Sequence, residues 1–100
     1  MHIILTQHAK VRLRERCNLK KSDAQKFVDN AFKKGIRHAD TKDSLNRYLN
    51  HLYFRYGKAN NIRIYKDIIF IQRKNILFTI LHLPEKYKED AKLYERRGKP

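Results

Sequence analysis

Apolar residues recur along this chain at two different spacings, and the change of period marks where helices give way to strands. Ala24, Phe27, Val28, Ala31 and Phe32 follow one another at helical spacing. They predict a helix from about Asp23 to Lys34, with Ser22 as its N-cap. Asp23 near its start and Lys33-Lys34 near its end suit the helix dipole, and Gly35 is expected to supply a left-handed exit. Upstream, Met1 to Leu5 is a short apolar stretch, read as a strand or as a staple beneath a first helix. Thr6 or Gln7 opens that helix, with Thr6 the better cap, and it runs to Arg16 or Cys17 before leaving through Asn18. Further on, Leu45, Tyr48, Leu49, Leu52, Tyr53 and Tyr56 recur at i, i+3, i+4 and i+7 behind Ser44, a candidate cap. The β-formers of Leu52 to Tyr56 also fit a strand, but the longer period favours a third helix.

The period then falls to that of strands. Ile62 to Tyr65, Ile68 to Ile71 and Ile76 to Leu81 are β-branched runs separated by Lys66-Asp67 and by Arg73-Lys74-Asn75. Such runs with tight polar turns predict an antiparallel meander. The second and third runs are apolar on both faces, so helices are expected to cover much of the sheet. Ile36 to Asp43 and Gly57 to Asn61 read as a polar connection and a turn. Pro84 ends the sheet, and Glu85 to Pro100 reads as a charged tail with one helical stretch around Tyr87 to Tyr94, fraying at Gly98-Lys99-Pro100. The expected fold is α+β: two or three N-terminal helices packed on a three- to four-stranded antiparallel sheet, as one domain over residues 1–84 followed by the tail.

Charge changes this picture from a generic small domain to one with a partner. The 100 residues carry 24 Lys and Arg against 10 Asp and Glu, a formal charge of +14. Such a balance repels itself in the compact state and points to a polyanion. The cations are spread along the chain rather than gathered in a tail. One cysteine, Cys17, excludes an intrachain disulfide and fits a reducing, cytoplasmic setting. No apolar run is long enough to span a membrane, and the N-terminus lacks the layout of a signal peptide. No pair of histidines has metal-ligand spacing and there is no glycine-rich phosphate loop, so neither a metal nor another cofactor is expected.

The chemistry concentrates on the first helix. At 100° per residue, His8, Arg12, Glu15 and Arg16 fall within an arc of about 100°, flanked by Ala9 and Leu13 on one side and Val11 on the other. A stripe bordered by apolar residues is expected to face the protein or a cleft. RNA offers such a stripe an accessible reaction, in which the 2′-OH attacks the neighbouring phosphate without a metal. His8 supplies the one side-chain type of the stripe suited to general acid–base work near neutrality, Arg12 and Arg16 suit the phosphate and its transition state, and Glu15 orients a partner or serves as base. The competing reading is a helix face held by ordinary Glu–Arg pairs. His82, at the end of the last strand, can converge on a helix laid across the sheet; His38 and His51 are weaker candidates. Arg14, Lys58, Arg63, Arg73 and Lys74 are candidate RNA contacts. Tyr48, Tyr53, Phe54, Tyr56 and Tyr65 are either base-stacking faces or core packing.

The stretch His8-Ala9-x-x-Arg12-x-x-Glu15-Arg16 resembles the HAxxRxxER opening of small phage- and plasmid-borne proteins. These look like the BrnT-like and RelE-like members of the barnase–EndoU–colicin–RelE nuclease superfamily. The strands through Tyr65 and Phe70, followed by Leu77-Phe78-Thr79-Ile80, look like that group's closing hairpin. The likeness covers about Thr6 to Leu83, and the long middle segment Ile36 to Asn61 departs from the compact toxins. It implies a RelE- or barnase-like fold and a metal-independent ribonuclease, toxin-like or phage-encoded, with His8, Arg12, Glu15 and Arg16 lining the site. Thr79 and Arg63 would face them from the sheet. The alternative is a non-catalytic basic module that binds RNA or a ribonucleoprotein, such as a phage inhibitor of a host complex. A third reading makes an acidic protein, such as an antitoxin or inhibitor, the natural ligand.

Overall fold

Ile68, Ile69, Phe70, Ile71 and Gln72 are all buried in succession, which a strand achieves only when both faces of its sheet are covered. The computed structural model, which describes residues 3–57 and 61–97 (the backbone alone for Lys21 and 95–97), shows how. The elements are β1 (Ile4–Leu5), α1 (Gln7–Cys17), α2 (Lys21–Lys34), β2 (Ile36–Arg37), α3 (Asp43–Arg55), β3 (Asn61–Tyr65), β4 (Ile68–Arg73), β5 (Ile76–His82) and α4 (Glu85–Arg97), with a single 3₁₀ turn at His38–Asp40. The sheet order is β1-β5-β4-β3-β2. β1 runs parallel to β5 and every other pairing is antiparallel.

Alternation along the strands sorts the core into two layers. Ile68, Phe70, Leu77 and Ile80 point to one face and pack against Ala9 and Leu13 of α1 and Ala24, Val28 and Ala31 of α2. Ile62, Ile64, Ile69 and Ile71 point to the other and meet Leu45, Leu49 and Leu52 of α3 and Tyr87 and Ala91 of α4. The fold is therefore α+β, with a five-stranded mixed sheet between two helical layers. The sequence expectation of three or four antiparallel strands missed β2 and the parallel pairing of β1, whose stretch was read as a strand or a staple. Each is two residues long, too short to show a period, and each lies at an edge.

Thr6 is the N-cap of α1, accepting a hydrogen bond from the Ala9 amide at 3.0 Å, and Asn18 leaves the helix with φ 52°. The two hairpins turn where the polar dipeptides fall. Lys66 and Asp67 have φ 50° and 63° between the paired Tyr65 and Ile68, the signature of a type I′ turn, whose twist matches the strands. The helical reading of 44–55 holds, while the turn expected at 57–61 lies largely outside the described residues, as does the expected fraying at 98–100.

Four expectations are corrected. Ser22 lies inside α2, which starts at Lys21 behind an N-cap, Lys20, that makes no side-chain bond. Likewise Ser44 lies inside α3. The charged tail is a core element in its first half: Tyr87 and Ala91 are buried, and Tyr87 stacks on Tyr48 with ring centroids 4.8 Å apart. Gly35 is not left-handed. Its φ is −71°, extended backbone, and glycine is needed there for another reason. A Cβ would collide first with the Ala31 carbonyl oxygen, in the last turn of α2 itself, and would lie 3.0 Å from that of Ile64, where the end of α2 packs on β3. Gly57, by contrast, has φ +67° with open space around it.

Gly35→Ala should therefore cost about 2–3 kcal/mol through overpacking against rigid backbone. Gly57→Ala should cost about 1 kcal/mol through left-handed strain alone. Urea unfolding of the two variants checks the order.

Candidate nucleic-acid interface

The edge of β5 determines what α1 presents. β1 covers that edge only opposite Ile76 and Leu77, and the carbonyls beyond it need other donors. Side chains of the first helix supply them. The Thr6 hydroxyl lies 3.2 Å from the Leu77 carbonyl and 3.3 Å from that of Phe78, and Arg16 Nη1 donates to the Ile80 carbonyl at 2.7 Å. Arg16 thus ties the C-terminal end of the stripe to the sheet.

The rest of the stripe is open. His8 and Glu15 are exposed and Arg12 is half-buried, so the stripe lies on the surface rather than facing a cleft. Glu15, Arg12 and Arg16 form no ion pair among the described residues, where the pairs are Arg37–Asp40, Glu85–Lys88 and Glu89–Lys92. A face held by Glu–Arg pairs is therefore not what holds α1. Val11, the expected flank, is exposed and shares with Lys10, Arg14 and Leu19 a groove of about 380 Å³ between α1 and α2. Half-burial pushes the Cys17 thiol above its ordinary pKa, with the Arg16 charge opposing, which disfavours a reactive thiolate at neutral pH.

Thr79 does not face this stripe. It is register partner to Ile71, whose side chain belongs to the α3–α4 layer, and its hydroxyl lies 3.5 Å from the Ile80 carbonyl. The reason is a bulge. Gln72 pairs with Leu77 but Ile71 pairs with Thr79, so the extra residue breaks the alternation that would otherwise align Thr79 with Leu77. His82 is opposite Ile68 and therefore shares the α1 face, at the exposed end of β5. The structure places His8, Arg12, Glu15 and Arg16 on one helix surface and His82 on the same side of the sheet.

The remaining candidates are dispersed. Arg73 is exposed at the end of β4, and Lys74 is exposed in the β4–β5 turn, where its carbonyl accepts from the Gln72 amide. Lys58 lies outside the described residues. Arg63 is in β3, opposite Arg37. His38 Nε2 lies 2.7 Å from Asn50 Oδ1 and its ring sits beside Tyr53, while His51 is exposed on α3. Of the aromatics considered for stacking, Tyr48 is engaged with Tyr87 and Tyr65 with Phe27. Phe54 is the exception: it is 74% exposed, set edge-to-face against Tyr53 at 5.3 Å.

What sequence reasoning missed is the β2–β3 edge. Lys33, Lys34, Arg37, Arg63 and Lys66 border one open concavity of about 1,400 Å³. The pairing of Arg37 with Arg63 was hidden by the brevity of β2. No family model, curated protein or solved structure matches the chain. Among the described residues, no cluster of His, Cys, Asp or Glu could hold a metal, and no helix is long and apolar enough to cross a membrane.

The two arginines of the stripe should separate on mutation. Arg16→Ala should cost about 1–2 kcal/mol by leaving the Ile80 carbonyl without its donor. Arg12→Ala, which breaks no such bond, should stay within about 0.5 kcal/mol. Denaturant midpoints measured on both variants test this.

Proposed function

We propose that this protein is a basic RNA-binding module that grips the polynucleotide chiefly through its phosphates. The observation that carries the reading is the unneutralised cationic surface. Lys10, Arg12 and Arg14 on α1 and Lys33 and Lys34 on α2 enter no ion pair among the described residues. At a formal +14, an outer surface of this kind lowers its own repulsion by exchanging counterions with a polyanion. The exposed Phe54 adds an aromatic face to which an unpaired base can stack, and this favours a single-stranded ligand. Affinity for a single-stranded RNA should fall roughly a hundredfold between about 50 and 200 mM salt if about five phosphates are neutralised. Fluorescence anisotropy over a salt series checks it, and a flat response rejects the reading.

Metal-independent cleavage of RNA is the second reading, and one arrangement favours it. The imidazoles of His8 and His82 lie on the same side of the sheet, with the half-buried Arg12 between the ends of a stripe whose carboxylate, Glu15, forms no ion pair among the described residues. One imidazole would take the 2′-OH proton, the other would protonate the 5′-oxygen, and Arg12 would carry the developing phosphorane charge. Thr79 has no part in this version. Incubation with labelled total RNA and tRNA in chelator separates the two readings. Cleavage by the wild type, abolished in both His8→Ala and His82→Ala with RNA affinity kept within a few fold, establishes the nuclease. Intact RNA with a mobility shift leaves the binding module.

A further inference from the structure

The edge formed by β2 and β3 carries an arrangement that the fold alone does not account for. Arg37 and Arg63 are direct cross-strand partners, and like charges placed opposite one another destabilise a sheet. Arg37 turns outward to Asp40, with Nε 2.9 Å and Nη2 3.2 Å from its carboxylate oxygens. Arg63 has no such relief. Its guanidinium lies over the Phe32 ring at 5.7 Å, and its Nε, sealed from solvent, has no hydrogen-bond partner among the described residues. Burial, and then the Arg37 charge, pull its pKa below the ordinary value, with Asp40 opposing; a guanidinium nevertheless stays protonated at neutral pH.

The surroundings deepen the imbalance. The concavity that Arg63 borders is lined by six cationic side chains against three carboxylates, Asp40, Asp43 and Asp90. Asp40 is already spent on Arg37. Lys33 and Lys34 end α2 and Lys66 begins the β3–β4 turn, and all three line the same concavity as Arg63. A half-buried, aromatic-backed guanidinium that no carboxylate among the described residues pairs suits a phosphate, because its planar fork is fixed in advance and its charge is weakly screened.

We propose that Arg63, flanked by Lys33, Lys34 and Lys66, grips a backbone phosphate of single-stranded RNA, making the β2–β3 edge a contact separate from the α1 stripe. This rests on the RNA-binding reading and adds a location to it. The grip reads phosphate rather than base or ribose, so it positions the strand without selecting sequence.

The test is anisotropy titration of a labelled mixed-sequence 20-mer RNA, and of single-stranded DNA of the same sequence, over a salt series. Arg63→Gln should weaken RNA binding by about fivefold to tenfold and lower the salt slope by about one contact. The double variant Lys33→Gln/Lys34→Gln, which touches only exposed side chains, should lower the slope by up to about two contacts with the fold intact by circular dichroism. Lys92→Gln on α4 should change neither. An equal loss for DNA supports a phosphate grip, whereas a loss confined to RNA assigns the edge to the ribose and overturns it. Wild-type binding that all the edge variants retain unchanged overturns the inference and leaves the RNA reading standing. A wild type that binds neither nucleic acid overturns both.

Discussion

The burial of β4 on both faces is the constraint from which the rest of the molecule follows. A strand reading Ile-Ile-Phe-Ile-Gln presents apolar side chains up and down, and a chain of 100 residues can cover both only by spending its helices on the task. α1 and α2 meet the Phe70 side, and α3 and α4 meet the Ile69 and Ile71 side. With both sheet faces occupied, no face remains as a floor for a ligand. What remains open are the outer surfaces of helices and the two edges of the sheet, and those are where the uncommitted cations lie.

The same constraint explains what could be read from sequence and what could not. The central hairpins were legible because β-branched runs and polar dipeptides are local signals, and Lys66-Asp67 adopts the turn that its position implies. The caps Thr6 and Asn18 were legible for the same reason. Long-range pairing was not. β1 is a strand only because β5 lies beside it, and β2 only because β3 does. Gly35 was recognised as special but for the wrong cause, since the close approach of α2 to β3 is a tertiary fact. The bulge that turns Thr79 away from α1 carries no sequence mark, and it moves one expected site residue to the other side of the sheet.

Within the stripe on α1, the four residues shared a face as the helical period required, but period says nothing about which of them the fold consumes. Arg16 and Arg12 share the stripe, yet Arg16, nearer the buried Ala9 flank, substitutes for a missing strand partner at β5 and Arg12 does not. The distinction comes from β1 stopping at Leu5, which leaves the later carbonyls of β5 to be satisfied by side chains. A residue picked out for phosphate chemistry is in part an edge-capping donor.

Geometry also bears on the choice between gripping and cutting RNA. Cleavage needs a base, an acid and a cation within reach of one phosphate. Eight residues of helix separate His8 from Arg16, about 12 Å at 1.5 Å per residue, which exceeds the span of a single phosphate group. The four side chains of a stripe of that length cannot all meet the same phosphate group. For it to act as a catalytic centre, a second acid–base group must come from another element to the same phosphate as His8. Because Thr79 faces the opposite layer, that role falls to His82 at the end of β5. The nuclease reading therefore depends on those two imidazoles, while the binding reading needs only the cations, which are already in place.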